Sequence, residues 1–549
     1  MSDSAFPPQD DSELAPVQGI AAALEHYAAA SPHRAAYVDY QGVLSYGQLL
    51  TAMRRGAAWL RRQGVAPGET VALPLDPEPG RARRCLELLC ALAWLGARAL
   101  PLFPEVPLQA RLAMIRRYGA HWVLAGGDEV DVGEAKVLDI GRFTPMEFRL
   151  DAHVPPRADL PDAPFLYRFT SGTAGAAKAF LDTHAQFFGN MRAAALAVGL
   201  GRDDRQMAAV PWPSGVGMRQ LFHSLASGGC FVAAPLGETR AELAAVLAHF
   251  AVTSISASPW QLRRWLVSPA VPLPPLRSLQ LIGDMIAPEE VRAARAELSA
   301  RTYVVFGCNE VGRLTVLNPE DEPQPGGVGC LQPGVQARVD DGAGGSLPAG
   351  ETGELAFRTP WMCQCYVDNP QATRERFRDG WFFSGDVGCI TADGQVLLRG
   401  RSSDVINHGG LKIWPGDIEA VLRQHAQVRD AALVGVPDPM AGQAPVAFVV
   451  PRDPALLREP NRAGGPAGVW LGTQWGAHWG DDWGNRSGVS LSVPAAPGAA
   501  LIEALHAFCK ERIDATRVPR RFVLVAEIPR NDAGKIVREA LVAGLPLPN

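Results

Sequence analysis

An α/β fold is predicted for this 549-residue chain, with a large N-terminal domain of parallel-rich sheets covered by helices and a small α+β C-terminal domain. Three observations lead there. The chain is too long for one ordinary hydrophobic core. From about residue 16 to 400, helical and strand-like patterns alternate, which favours parallel strands joined by covering helices. The stretch Gly400-Arg401-Ser402-Ser403-Asp404 then interrupts that rhythm, and a shorter set of strands and helices follows.

Residues 1–15 are acidic and proline-bearing and read as a disordered tail. Arg83 to Leu95 reads as a helix, and Ala99 to Phe103 as a buried strand leaving it. Gln109 to Tyr118 is a second amphipathic helix, followed by a strand over His121 to Ala125. Arg240 to Phe250 and Val252 to Ser256 repeat the unit. Such sheets place ligands at the carboxyl ends of their strands. The boundary falls at 401–404, and the small domain takes 405–549. Within it Pro415 to Gln424 reads as a helix, and Val428 to Val436 and Val446 to Val450 as strands. Leu501 to Arg512 reads as a helix with Leu501, Leu505 and Phe508 on one face.

Between these elements, about 452–498 is a long insertion rich in Gly, Pro, Ala and Trp. Trp475, Trp479 and Trp483 are spaced by four, but a glycine after each weakens helix by about 1 kcal/mol apiece. The segment reads as a surface insertion whose tryptophans bind a partner, dock on the body of the protein, or fold over themselves. Deleting about 464–492 and bridging the ends with a short Gly/Ser linker is expected to leave catalysis largely unchanged, because each doubling of loop length costs only about 0.6 kcal/mol. Loss of folding or of activity in that variant would place the tryptophans in the core.

Composition narrows the function. Hydrophobic residues at 47% with 20% charged residues fit a soluble globular protein. A net charge of −5 supplies no basic footprint, which argues against a nucleic-acid partner. Nine scattered cysteines, with Cys363-Gln364-Cys365 the only close pair, lack metal-site spacing. They read as reduced thiols and imply a cytoplasmic setting. No signal peptide and no integral membrane segment is legible.

The most informative segment is Tyr167-Arg168-Phe169-Thr170-Ser171-Gly172-Thr173-Ala174-Gly175-Ala176-Ala177-Lys178. An apolar lead-in enters a loop of hydroxyls and glycines that closes on a lysine. Glycines let backbone N–H groups turn toward an anion, hydroxyls add donors, and lysine adds charge, so the loop suits phosphate. It is not a Walker A loop, because Ala179 stands where that motif has Ser or Thr to hold magnesium. Three further segments follow in order: Phe306-Gly307-Cys308-Asn309-Glu310, Gly380-Trp381-Phe382-Phe383-Ser384-Gly385-Asp386 leading to Arg401, and Pro529 to Arg538 with Lys535 on a glycine-bearing turn. Alone, Asp386 reads as a turn residue and Lys535 as a solvated surface lysine.

This ordered set resembles the adenylate-forming superfamily of acyl-CoA synthetases, nonribosomal-peptide adenylation domains and luciferases, over nearly the whole chain from about Leu44 to Arg538. The resemblance implies an ATP-dependent carboxylate ligase, with ATP, Mg²⁺ and either coenzyme A or the phosphopantetheine of a carrier protein as cofactors. It implies that Thr170, Ser171, Gly172, Thr173 and Lys178 wrap the β- and γ-phosphates. Phe306 would lie beside adenine, within a nucleotide site that includes Gly307 and Asn309. Glu310 would ligate magnesium, a hard cation that prefers oxygen. Asp386 would accept from the ribose hydroxyls with Arg401 near them, and Lys535 would bridge the carboxylate and the α-phosphate. Lys535, Lys178 and Glu310 are therefore the implied catalytic set. Ser403 takes the family's hinge position, about which the small domain swings. Gly409 and Gly410 read either as the wall of a phosphopantetheine tunnel or as a plain turn.

The chain departs from the family pattern at Ala174, Ala177 and Ala179 in the phosphate loop, at Asn309, and at Gly283-Asp284-Met285-Ile286. The charged residues survive, so these changes concern tuning more than the reaction. The resemblance places the acyl pocket near Trp212, Pro213, Ser214, Gly217, Ser256, Ile282 and Arg313. Amino-acid-activating relatives carry an aspartate near Pro213 or Ser214, and its absence argues against an α-amino acid. Arg313 reads either as a surface residue or as the partner of a polar or anionic group on the acid. About eleven residues follow Arg538, so the thiol is expected in trans, as coenzyme A or a separate carrier protein. A stand-alone enzyme loading such a carrier is the alternative function, and a degenerate nucleotide-binding protein is a third.

Overall fold

The structure, a computed structural model, describes residues 19–76, 78–104, 106–125, 132–140, 158, 160–170, 178–208, 210, 212–457, 498–531, 534–543 and 545. The N-terminal tail, most of the phosphate loop and the tryptophan-rich segment lie outside the described residues. The chain forms two compact units, one of residues up to 384 with 389–397 and one of 385–388 with 398 onward.

The first unit contains two sheets. The six-stranded one runs Lys136–Asp139, Trp122–Ala125, Thr70–Pro74, Arg98–Leu102, Pro164–Phe169 and Ala179–Thr183 in spatial order. Its strands pair in parallel except for the last, which returns antiparallel from the phosphate loop. The helix before Arg98–Leu102 spans Pro79–Leu95, starting four residues earlier than the apolar pattern suggests, because proline is accommodated in a first helical turn. Gly96, in the left-handed region with φ of 74°, ends it.

The larger sheet is half parallel and half antiparallel. Arg205–Ala208, Ser254–Ala257, Ser278–Ile282 and Thr302–Cys308 pair in parallel, as βα alternation predicts. From Gly312–Leu317 onward the chain folds back through short turns, so Gly312–Leu317 and Gly327–Leu331 pair antiparallel. Two capped helices pack on one another beside the parallel half. His184–Leu196 carries a Thr183/Gln186 capping box, and Gly215–Ala226 starts at Ser214, whose hydroxyl accepts from the Gly217 N–H at 3.1 Å. Phe165, Phe187, Phe188, Leu221 and Phe222 fill the core around these helices, each almost wholly buried.

The second unit contains a sheet in the order Leu411–Ile413, Ile406–His408, Gly442–Pro451, Val428–Asp438, with Arg521–Leu524 parallel to Gly442–Pro451. The hairpin of Val428–Asp438 and Gly442–Pro451 pairs over nearly its full length, longer than the apolar cores of the two strands suggest. Helices Pro415–Arg423 and Ala499–Lys510 bury Ile418, Leu422, Leu501 and Leu505 against it. No helix among the described residues is long and apolar enough to cross a membrane.

Candidate active site

The phosphate loop leaves the strand Pro164–Phe169 and returns as Ala179–Thr183. Its neck is closed by two bonds: the Thr170 N–H donates to the Lys178 carbonyl at 2.9 Å, and the Lys178 N–H to Thr170 Oγ1 at 3.1 Å. Ser171, Gly172 and Thr173 lie outside the described residues. Directly before the neck, Arg168 pairs with Asp182 across the hairpin at 2.7 Å, both almost wholly buried. Burial pushes the Asp182 carboxyl above the usual carboxylate range, and Arg168 opposes that shift.

The strand Thr302–Cys308 brings the second motif to the same end of the first unit. Gly307 sits at an irregularity in the strand register, where a Cβ would come within 2.2 Å of the Gly312 carbonyl oxygen. Only glycine fits that approach. Phe306 keeps part of its ring accessible and lies 5.9 Å from the Phe357 ring. Asn309 is a tie between motifs. Its amide donates to the Phe169 carbonyl at 2.8 Å, its own carbonyl accepts from Arg168 at 2.6 Å, and its Oδ1 accepts from Arg219 at 3.2 Å.

Glu310 is 8% exposed and accepts from the Tyr366 hydroxyl at 2.6 Å. The Lys178 ammonium stands 5.3 Å from the centroid of that same Tyr366 ring. Burial raises the Tyr366 pKa, with the Glu310 charge adding to the shift, so the hydroxyl keeps its proton and donates. The structure thus gathers Thr170, Lys178, Phe306, Asn309 and Glu310 in one unit, with Tyr366, Arg168, Asp182 and Arg219 as members that the sequence pattern did not single out. A buried carboxylate held by one neutral donor suits a hard divalent cation, so Glu310 fits magnesium.

The acyl-pocket candidates divide. Ser256 is buried and donates to Gln220 Oε1 at 3.0 Å, Ser214 caps its helix, Gly217 is buried in that helix, and Pro213 is buried just before it. Ile282 ends its strand half-buried. Trp212 is packed in the core shared with Phe187, Leu221 and Phe222. Arg313 is not a surface residue: it is 3% exposed and donates to the Ala194 carbonyl at 2.5 Å and to Gln280 Oε1 at 2.8 Å.

In the second unit Asp386 is buried, with Arg401 Nε 3.3 Å from its Oδ1. Ser403 is exposed, its hydroxyl donating to Asp404 at 2.8 Å. Gly409 and Gly410 are exposed, with φ of 56° and 84°, and form the turn between Ile406–His408 and Leu411–Ile413. Lys535 sits on a turn closed by Arg530 and Ile536. The Asn531 N–H donates to the Lys535 carbonyl at 2.9 Å, and the Lys535 N–H to Asn531 Oδ1 at 3.0 Å. Two arginines flank it. Arg530 reaches Asp430 at 2.7 Å and Arg538 reaches Glu419 at 2.5 Å.

The family model described as AMP-binding enzyme matches residues 24–367, well over half of the chain, and the model of that enzyme's C-terminal domain matches 417–463. The chain belongs to the AMP-binding enzyme family. Among relatives of this AMP-binding enzyme, the 2-succinylbenzoate–CoA ligase of Geobacillus kaustophilus is 28% identical over 540 residues, covering 95% of this chain and 97% of its own. The fatty acid–[acyl-carrier-protein] ligase ScoC of Streptomyces coeruleorubidus is 27% identical over 91% of both chains. In fold it resembles the O-succinylbenzoate coenzyme A synthetase (MenE) of Bacillus subtilis in complex with AMP, with a TM-score of 0.75, 22% identity, and coverage of 94% of this chain and 97% of that one.

Proposed function

We propose that this AMP-binding enzyme is an ATP-dependent, AMP-forming acid–thiol ligase that makes an acyl-adenylate and then a thioester with coenzyme A. The observation that carries the reading is the Lys178–Tyr366–Glu310 line beside the closed neck of the phosphate loop. A carboxylate oxygen of the acid attacks the α-phosphorus of ATP, and the bond to pyrophosphate breaks. A thiol then attacks the acyl carbon and AMP leaves. Such chemistry needs charge neutralised around the phosphates more than it needs a general base.

Each residue has a role in that scheme. Lys178 and Thr170 would hold the outer phosphates, and Glu310 would hold magnesium, which shields phosphate charge. Tyr366 keeps the Glu310 carboxylate oriented. Asp386 would take the ribose hydroxyls with Arg401 beside it, and Lys535 would meet the developing charge at the α-phosphate. Replacing Asp386 by alanine should weaken ATP binding by roughly 1.5–3 kcal/mol, the worth of hydrogen bonds to a charged acceptor. An unchanged apparent ATP affinity would show the ribose role to be misplaced.

Loading of a carrier protein is the second reading, and the likeness to ScoC, named a ligase for acyl-carrier protein, favours keeping it. A cytoplasmic setting goes with either. ATP–pyrophosphate exchange across a panel of acids tests the ligase reading, and exchange with none of them would leave a nucleotide-binding protein without turnover. Mass analysis of acyl-CoA against acylated carrier separates the two acceptors.

A further inference from the structure

The helix Gly215–Ala226 and the sheet beside it enclose a polar group where an apolar interface would be ordinary. Arg219 and His223 lie one helical turn apart, with Gln220 and Ser224 next to them. Gln220 Oε1 accepts from Gln206 at 2.8 Å, from Ser256 at 3.0 Å and from His223 Nδ1 at 3.1 Å. Ser224 donates to Gln206 Oε1 at 2.8 Å. Arg313 spends its two terminal nitrogens on the Ala194 carbonyl and on Gln280. These bonds satisfy dipoles. They do not neutralise charge.

Three arginines gather here: Arg168, Arg219 and Arg313. Asp182 answers Arg168. Glu310 is hydrogen-bonded to Tyr366 and, in the reading above, is committed to a metal ion. No carboxylate among the described residues pairs with Arg219 or Arg313. Burial pulls the Arg313 guanidinium down to about 9, with Arg219 adding repulsion, while burial and then Arg168 bring Arg219 to about 10 against the opposing pull of Cys308, Asp182 and Glu310. His223 is held neutral by burial and then by Arg313, Arg219 and Arg168. Asp182 and Glu310 attract Arg219 but stand against three arginines, and a buried excess of positive charge is strongly unfavourable unless an anion joins it.

Arg219 is the member able to receive one. Arg313 is 3% exposed, whereas Arg219 keeps part of its surface accessible while still feeling strong desolvation. Arg219 also donates to Asn309 Oδ1 at 3.2 Å, one residue from Glu310, which sets it beside the proposed reaction centre. We propose that the acid activated by this enzyme carries a second anionic group, a carboxylate or sulfonate, that binds Arg219 with Arg313 behind it. The inference rests on the ligase reading and names the substrate class for it.

The test pairs acids of matched skeleton: glutarate with pentanoate, and terephthalate and 4-sulfobenzoate with benzoate. Pyrophosphate exchange and calorimetric binding are both read on the full chain. At least one dianionic acid should exceed its monoanionic partner by about 100-fold in kcat/KM, the scale of a desolvated charge pair. Arg219→Leu should erase that ratio by raising KM for the dianion far more than for the monoacid. Arg219→Lys should keep part of the preference. A variant that merely disturbs the fold would lower both acids together, and that outcome would remove Arg219 as the anion's partner. Preference for monoacids in the wild type, or a preference for dianions that survives Arg219→Leu, overturns the proposal. If no acid supports exchange, the ligase reading falls, and calorimetry then decides the anion site alone. Binding of dianions that vanishes in Arg219→Leu sustains it, and absence of binding removes it.

Discussion

Replacing Lys535 by alanine is expected to slow adenylation by about 10²–10³-fold, the usual loss when a positioned charge is removed from a transition state. Transfer of a supplied acyl-adenylate to the thiol should remain nearly intact. The turn around Lys535 is closed by its backbone N–H and carbonyl with Asn531, bonds that alanine keeps. Gly534, with φ of 77°, keeps the turn's shape. Pyrophosphate exchange measures the first half-reaction, and thioester formation from synthetic acyl-adenylate measures the second. Equal loss in both would remove the assignment of Lys535 to the adenylation step.

Arg168→Leu should produce the largest loss of stability, about 3–5 kcal/mol, because it strands a buried carboxylate. Asp182 is fully buried, and Arg168 provides the opposite charge at 2.7 Å. The same arginine stacks over the Phe180 ring at 4.8 Å and donates to the Asn309 carbonyl, so packing and a hydrogen bond go with the charge. A falling urea midpoint for the signal of the N-terminal unit is the readout, since a chain of two units does not unfold as one state. The double variant Arg168→Leu/Asp182→Leu should recover a substantial part of the loss, because no unpaired charge remains. A single variant with the wild-type midpoint would show the pair to contribute nothing.

What the sequence makes legible is local. The loop from Thr170 to Lys178 announces itself by composition, and helices such as Arg240–His249 and Ala499–Lys510 by apolar period. The partners that set the site depend on tertiary approach. Tyr366 stands 56 positions from the Glu310 it orients, and Arg219 stands 90 from Asn309. Arg219 and His223 look like the polar face of an ordinary amphipathic helix, whereas in the structure His223 is buried and Arg219 half-buried. The available signal was the polar run Arg219-Gln220 with His223-Ser224 in a helix that lies between buried strands. Arg313 is ambiguous between surface and pocket in sequence for the same reason: charge normally signals exposure. The antiparallel half of the large sheet is less legible in sequence, because short turns such as the one before Gly312 carry less pattern than whole βα units.

The arginines on either side of Lys535 bear on how the charge proposed for the adenylation step is held. Arg530 fastens the turn to Asp430 at one end of the strand Val428–Asp438, and Arg538 fastens it to the Leu433 carbonyl and Glu419. The lysine therefore has no private flexibility at its base: its turn is riveted to the same sheet at two points. Amide protons of Gly534 and Val537, bonded to the Asn531 and Pro529 carbonyls, should exchange with deuterium at rates close to those of the sheet interior rather than those of a surface loop. The backbone beneath the ammonium is then as fixed as the sheet that carries it, and only the side chain's own torsions remain to aim the charge.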